Sequence, residues 1–423
     1  MKITAPAEDS RIPLDDINLA DTDLYVERDA HLAWKTLRNE CPVFWQDRTG
    51  GAGFWAVTRR ADVCRVLGGH ETFSSEGGTA IAMLDAPDPA AGIMMQSTDP
   101  PRHQQFREQL GKPFSPRAVR AYTEQIRAFV KDAIEPARYG EVWDAAASFS
   151  RLPMKVGAML MGLPDADVDP LLRLAYASLA PDDPLYRLAD RSNAVSAHYQ
   201  IIDYFVECIE KRRRNLADDL ISHLITADIA GRRMTSNELL SNCLSLLLGA
   251  VVTTSHAISA TLIALTEHYS GEGRWPDVMP MHTAVEEALR WSSPVTHFMR
   301  RARCDTEICG QKIAAGDAVT AWIASANRDE SAFERPYVLD LERAPNRHVA
   351  FGSGPHTCLG SHLARLMLRN SFEELVASIE SFQLAGTPVH LVSNEIAGLV
   401  RLPLALELRR PMKSGATTSA PFN

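Results

Sequence analysis

Residues 235–269 read as one long helix with almost no polar face. Thr235 and Glu238 stand at capping-box spacing, which favours a helix start there, and LLSNCLSLLLGAVVTTSHAISATLIALTEHY carries it on. At 1.5 Å per residue the run is about 50 Å long, enough to cross a molecule of 423 residues. A helix that is apolar all round is buried, so the rest of the chain must wrap around this one. Its middle, Thr253-Thr254-Ser255-His256, is polar. Buried polar groups need partners. The stretch is therefore either a set of hydroxyls bonded back to the helix or a notch at an active site.

The flanking sequence supplies mostly helices. Periodicity near 3.6 runs through 115–138, 146–162, 166–178, 187–213 and 217–228, between Pro, Gly and Asp breaks. Residues 30–40 also read as helix, and RRADVCRVLGG as a helix that stops at Gly68-Gly69. PVFWQD and GFWAVT flank a Gly-rich turn and read as a hairpin. Short strands follow residue 300 (DTEICGQKI, DAVTAWIA, PLALELR), with a helix at about 359–380 between them. Mostly helix with segregated strands excludes a doubly wound sheet. The expectation is a mainly α chain with a small β region, forming one domain over 1–423 with a lead-in at 1–20 and a flexible tail at 411–423. Residues 74–98 have no clear period and are rich in Gly, Ala and Met. They read as a long loop, of the kind that often serves as a lid or binding segment.

Charge and cysteine usage exclude several classes. Lys and Arg number 44 against 53 Asp and Glu, a net charge of −9, which argues against a general nucleic-acid binder. Seven cysteines show neither CxxC nor zinc spacing, as expected of reduced thiols in a cytoplasmic protein. The N-terminus has no apolar signal region, and no stretch of about 18 uninterrupted apolar residues suggests a membrane span.

Cys358 sits in FGSGPHTCLGSHLARLML, just before the helix at about 359–380. Amides at a helix N-terminus stabilise a thiolate, which is what a soft metal requires of its ligand. Taken alone, Cys358 could be a metal ligand, a nucleophile or a buried structural thiol. Phe351, Gly354, His356, Cys358 and Gly360 match the haem-binding loop Phe-x-x-Gly-x-(His/Arg)-x-Cys-x-Gly. The chain resembles the cytochrome P450 family over nearly its whole length, and its size is similar to that of the soluble bacterial members.

That resemblance implies the helical P450 prism, with haem b (iron protoporphyrin IX) between the long central helix and the Cys358 loop. It implies Cys358 as the metal ligand and a haem-thiolate monooxygenase that inserts oxygen from O2. His103, Arg107, Arg300 and His356 would hold the propionates, with Arg301 able to exchange with Arg300, and Phe351, Leu248 and Ala250 would lie against the cofactor. Glu287, Arg290 and Arg343 look like the family's structural triad. Thr253 and Thr254 match its central-helix threonines, where oxygen and protons are handled. Met83, Ile93, Met94, Met95, Val251, Val295, Phe298, Ile396 and Leu399 would line an apolar substrate pocket. Electrons would come from NAD(P)H through a ferredoxin reductase and a ferredoxin, the latter docking on a basic patch of Arg102, Lys112, Arg117, Arg120 and Arg365.

One position departs from the family: Val252 stands where an acid normally relays protons. Protons must then come from water, substrate or another side chain, His256 and Ser255 being near in sequence. The implied substrate is a terpenoid, sterol or other lipid-like metabolite. Oxidative coupling or tailoring of an aromatic specialised metabolite, peroxide-driven oxidation and a non-catalytic haem sensor are the alternatives. A sensor would usually need an output domain, and the sequence offers none.

Overall fold

The computed structural model describes every residue except 2, 4, 8, 189–192, 252, 269–271, 277–278 and 410–423. The expected tail therefore lies outside the described residues. Around the central axis pack the helices Ala145–Met161, Met281–Ser292 and Ser361–Ser378. The axis is not one helix. It runs Ser236–Val251, breaks, and resumes as Thr254–His268. Its start is the expected capping box: Glu238 N–H donates to Thr235 Oγ1 at 3.2 Å and Thr235 N–H to Glu238 Oε2 at 2.8 Å.

Leu247, Val251, Ala257, Ile258 and Leu262 on this axis are completely buried in the largest apolar cluster. The two segments taken together, Ser236–Glu267, are long and apolar enough to cross a membrane by length and composition alone, although no 18 apolar residues run uninterrupted in them. About 65% of their most apolar window is covered by the protein itself, as in the core helix of a soluble protein.

The 115–138 segment divides into Pro116–Arg120 and Thr123–Ile134, with a 3-10 turn at Glu135–Arg138. Helices Val168–Leu179, Asn193–Arg214 and Leu220–Thr226 follow. The β structure is segregated. One sheet runs in the order Val43–Gln46, Phe54–Val57, Ala318–Trp322, His297–Ala302, Phe73–Ser74. Among the described residues, only Phe54–Val57 and Ala318–Trp322 pair in parallel. A second sheet joins Trp143–Asp144, Pro403–Leu408, Ile379–Leu384 and Glu272–Arg274. A short hairpin pairs Val389–His390 with Leu399–Arg401, and its tip reaches Val295 through a bridge from Ile396.

Candidate functional site

Glycine shapes the cysteine loop. Gly352 and Gly354 both have φ of 75°, and a Cβ on Gly354 would lie 2.5 Å from Gly68 Cα. The left-handed turn and the close approach to helix Arg60–Gly68 both exclude a side chain there. Cys358 N–H donates to Phe351 O at 2.8 Å, which closes the turn. Burial pushes the Cys358 thiol pKa up, against the Gly360 N–H and the Arg107 and Arg365 charges, which pull it down. Cys358 is nevertheless exposed. A side chain both desolvated and exposed faces a cleft inside the molecule. Gly249 also opens onto space: it is exposed in the middle of the buried axis, and a Cβ there would meet nothing within 4 Å.

Cations gather beside the loop. His103 and Arg107 are one turn apart on helix Arg102–Leu110, and the His103 ring lies 4.0 Å from that of His356. His103 is buried, and neither of its ring nitrogens has a partner among the described residues. Arg300 is buried on strand His297–Ala302 and donates to Met299 O at 2.8 Å. Burial lowers the pKa of Arg300 to about 10. Burial and the neighbouring arginines lower His103 to about 4 and His356 to about 2. Asp99 is the acid that acts on Arg300, but its oxygens already accept Ser75 N–H at 2.8 Å and Ser74 Oγ–H at 2.5 Å.

Two guanidiniums that depress both neighbouring imidazoles make a site for an anion. Two carboxylates would restore their charge balance, and a soft cation at Cys358 would stabilise its thiolate. A porphyrin with two propionates and a central metal carries both features, so these residues fit haem. The structure also separates Arg300 from Arg301, which turns away and donates to Leu84 O at 2.7 Å.

Glu287 and Arg290 meet in a bidentate pair, both bonds 2.7 Å, with neither side chain exposed. Arg343 Nε completes the group, 3.1 Å from Glu287 Oε2. Arg290 also donates to the carbonyls of Asn327 and Pro336 at 2.9 Å. These contacts tie the helix Met281–Ser292 to the 327–343 segment ahead of the cysteine loop.

The axis breaks where chemistry is expected. Thr253 is half-buried at the break, while Thr254 is buried. Val252 lies outside the described residues. His256 is fully enclosed, its pKa lowered by burial to about 3, with Nε2 3.3 Å from Tyr176 OH. It packs against Gly398 and so braces the hairpin.

The proposed lining does not assemble as one surface. Met94, Met95, Leu248 and Val295 border the main core and Ile93 is half-buried beside them. Ala250 and Phe351 are also half-buried. Val251, Ile396 and Leu399 are buried inside the core instead. Val251 turns inward because the 3.6-residue period sets it against Leu247, and Leu399 sits with Ala260 and Trp291. Met83 and Phe298 belong to two smaller clusters. The basic patch is also thinner than expected. Arg102 pairs with Glu238, and Arg365 chelates Glu286 at 2.6 and 2.8 Å. Lys112, Arg117 and Arg120 remain.

Sequence reasoning missed several positions. Asn242 clasps the 74–98 loop: its Oδ1 accepts Met95 N–H at 2.9 Å and its Nδ2 donates to Ile93 O at 2.9 Å. Ser75 Oγ lies 3.2 Å from His356 Nε2. An amide on the otherwise apolar, buried side of the axis, beside Cys243 and four residues after Glu238, was the available signal for Asn242. Nothing local marked Ser75.

Comparison with known proteins agrees with this arrangement. The family model "Cytochrome P450" matches residues 179–271 and 277–407. The chain is 34% identical to linalool 8-monooxygenase of Pseudomonas putida, over 92% of this chain and 98% of that one. It is 33% identical to cytochrome P450 NovI of Streptomyces niveus, over 93% and 97%. The structure of Mycobacterium marinum cytochrome P450 CYP268A2 in complex with pseudoionone superposes with a TM-score of 0.83 at 32% identity, covering 94% of this chain and 100% of that one.

Proposed function

We propose, from the premise that the chain belongs to the cytochrome P450 family of haem-b monooxygenases, that it oxidises an apolar small molecule over a haem seated on Cys358. The observation that carries this reading is the exposed yet desolvated Cys358 beside Arg107, with the His103 and His356 rings 4.0 Å apart and neither His103 nitrogen partnered among the described residues. Cys358 would ligate the metal as thiolate, its charge favoured by the Gly360 N–H and by Arg107. His103, Arg107, Arg300 and His356 would hold the propionates, and Phe351, Leu248 and Ala250 would flank the ring. Thiolate-bound haem supplies O2 activation, splitting the O–O bond so that one oxygen atom enters the substrate.

The remaining work falls to the chain. Thr253, half-buried at the axis break, is the hydroxyl placed to hold or pass a proton. Enclosed His256 bonds to Tyr176 and so serves the packing rather than a relay. Met94, Met95 and Leu248 would present apolar surface to the substrate. A terpenoid, sterol or other lipid fits that lining, and relatives named linalool 8-monooxygenase and steroid C26-monooxygenase support the class. Two electrons would arrive singly from a ferredoxin, with Lys112, Arg117 and Arg120 as its contacts. The proposed setting is the cytoplasm.

Cys358→Ala tests the reading. The parent ferrous protein with carbon monoxide should give the strongly red-shifted band of a thiolate-bound haem. The variant should lose that band and all O2-dependent oxidation of a terpenoid panel. An unchanged band in the variant would assign the ligand elsewhere.

A further inference from the structure

Glu286 leaves its helix on a different side from its neighbour. Consecutive side chains of an α-helix stand about 100° apart, so on Met281–Ser292 Glu287 turns to Arg343 while Glu286 turns to Arg365 of the helix after Cys358. The Glu286 carboxylate accepts Arg365 Nε–H at 2.6 Å and Nη2–H at 2.8 Å. His348 Nε2 lies 3.1 Å from the same carboxylate, and His348 Nδ1 accepts the Ala350 N–H at 3.2 Å. With Nδ1 accepting, the ring proton sits on Nε2 and is donated to Glu286. One acid thus joins the helix Met281–Ser292 to the stretch entering the cysteine loop and to the helix Ser361–Ser378 leaving it.

The clamped guanidinium touches the loop itself. Its carbon stands 4.6 Å from the centroid of the Phe351 ring, and the Phe351 carbonyl accepts the Cys358 N–H. Arg365, like Arg107, is close enough for its charge to act on Cys358. On the haem-thiolate reading a propionate matches Arg107, whereas the chain itself matches Arg365 with Glu286. Desolvation raises the Glu286 pKa, but the hydrogen bonds from Arg365 and His348 outweigh it and hold the carboxyl at about 2. The pair is therefore ionised at any ordinary working pH.

Hydrogen bonds between neutral groups could tie three pieces of chain together equally well. Matched charges do something further. They fix the field at the thiolate, because a charge acts at a distance and a half-buried one is only weakly screened. Reduction adds one electron to the centre, so an unmatched cation favours the reduced state and an unmatched anion the oxidised one. We propose that Glu286 and Arg365 are positioning residues for electron uptake: the acid holds the guanidinium on Phe351 and cancels its charge, and the matched pair sets the reduction potential of the Cys358-bound haem. The proposal rests on the haem-thiolate reading above and adds to it the control of redox poise.

The test is an anaerobic reductive titration of the ferric holoenzyme against dyes of known potential, followed at the Soret band. Glu286→Gln keeps an oxygen for Arg365 but removes the negative charge. Its equilibrium constant for reduction should rise about tenfold, a shift of about 59 mV to more positive potential for one electron. Arg365→Gln removes the cation and should lower the constant by a similar factor. The double variant Glu286→Gln/Arg365→Gln should return to within about twofold of the parent. Arg365→Lys keeps the charge without the planar fork and should hold the parent value, and this arm stands even where Glu286→Gln fails to take up haem. Loosening of the haem seat would move both single variants the same way. Shifts of one sign therefore overturn the proposal, as do unchanged potentials or a lysine variant that moves as far as the glutamine one. The carbon monoxide band separates the two levels. If the parent lacks it, the haem-thiolate reading fails; if it is intact while the potential ignores both charges, only the role of Glu286 and Arg365 fails.

Discussion

Two buried arginine clusters lie within one chain and balance their charges in opposite ways. Around Glu287, Arg290 and Arg343 are supplied with a carboxylate and with backbone carbonyls from 327–338. Around His356, Arg107 and Arg300 depress the protonation of both His356 and His103, and both His103 nitrogens lack partners among the described residues. The first cluster is complete within the polypeptide. The second, on the proposed reading, would be completed by an anion from outside it. Enclosed cations are thus not by themselves a sign of a site; their unmatched charge is.

Breaking the complete cluster should have the largest effect. Glu287→Gln leaves two buried guanidiniums uncompensated, at a cost of about 3–5 kcal/mol, and should be seen as loss of folded holoenzyme and a much lower unfolding midpoint. The incomplete cluster should respond the other way. Arg300→Leu removes an enclosed cation, so the fold should keep its midpoint within about 1 kcal/mol. Haem transfer from that variant to an acceptor globin should run about tenfold faster. A large loss of stability without faster haem loss would place Arg300 among the structural arginines.

The smallest effect sharpens the comparison through pH. Hydrogen bonding from Arg232 holds the Glu238 pKa at about 2, against an ordinary 4.5. A carboxylate depressed in the folded state contributes stability above its unfolded pKa, and that contribution drains away as pH falls from 4.5 toward 2. Denaturant midpoints should therefore decline less steeply across that window in Glu238→Gln than in the parent, and the two proteins should run parallel above pH 5.

Much of this was legible in the sequence, for local reasons. The capping box at Thr235, the hairpin Val43–Gln46/Phe54–Val57 and the helix ending at Gly68 are written in adjacent residues. The glycine pattern around Cys358 was legible because a left-handed turn and a close approach admit nothing larger. The break in the axis was not legible, since Thr253-Thr254 is compatible with a continuous helix. The pocket was only partly legible: the facing of Val251 and Leu399 depends on how distant elements dock. The ion pairs that consume Arg102 and Arg365 join residues 136 and 79 positions apart, and periodicity carries no information at that range.

Asn242 has a consequence for how such a chain can change over time. One amide holds Ile93 and Met95 to the axis while its Nδ2 also donates to Glu238 O at 2.7 Å. The loop it clasps contributes Ile81 and Leu84 to a small cluster shared with the N-terminal region, and Met94 and Met95 to the edge of the main core. The segment between these two anchorages can therefore be rewritten in length and composition with little disturbance to the scaffold. Residues 86–92, between the Asp85 tie to Arg48 and Ala52 and the Asn242 clasp, are thus the stretch a lineage can rewrite while inheriting the scaffold intact.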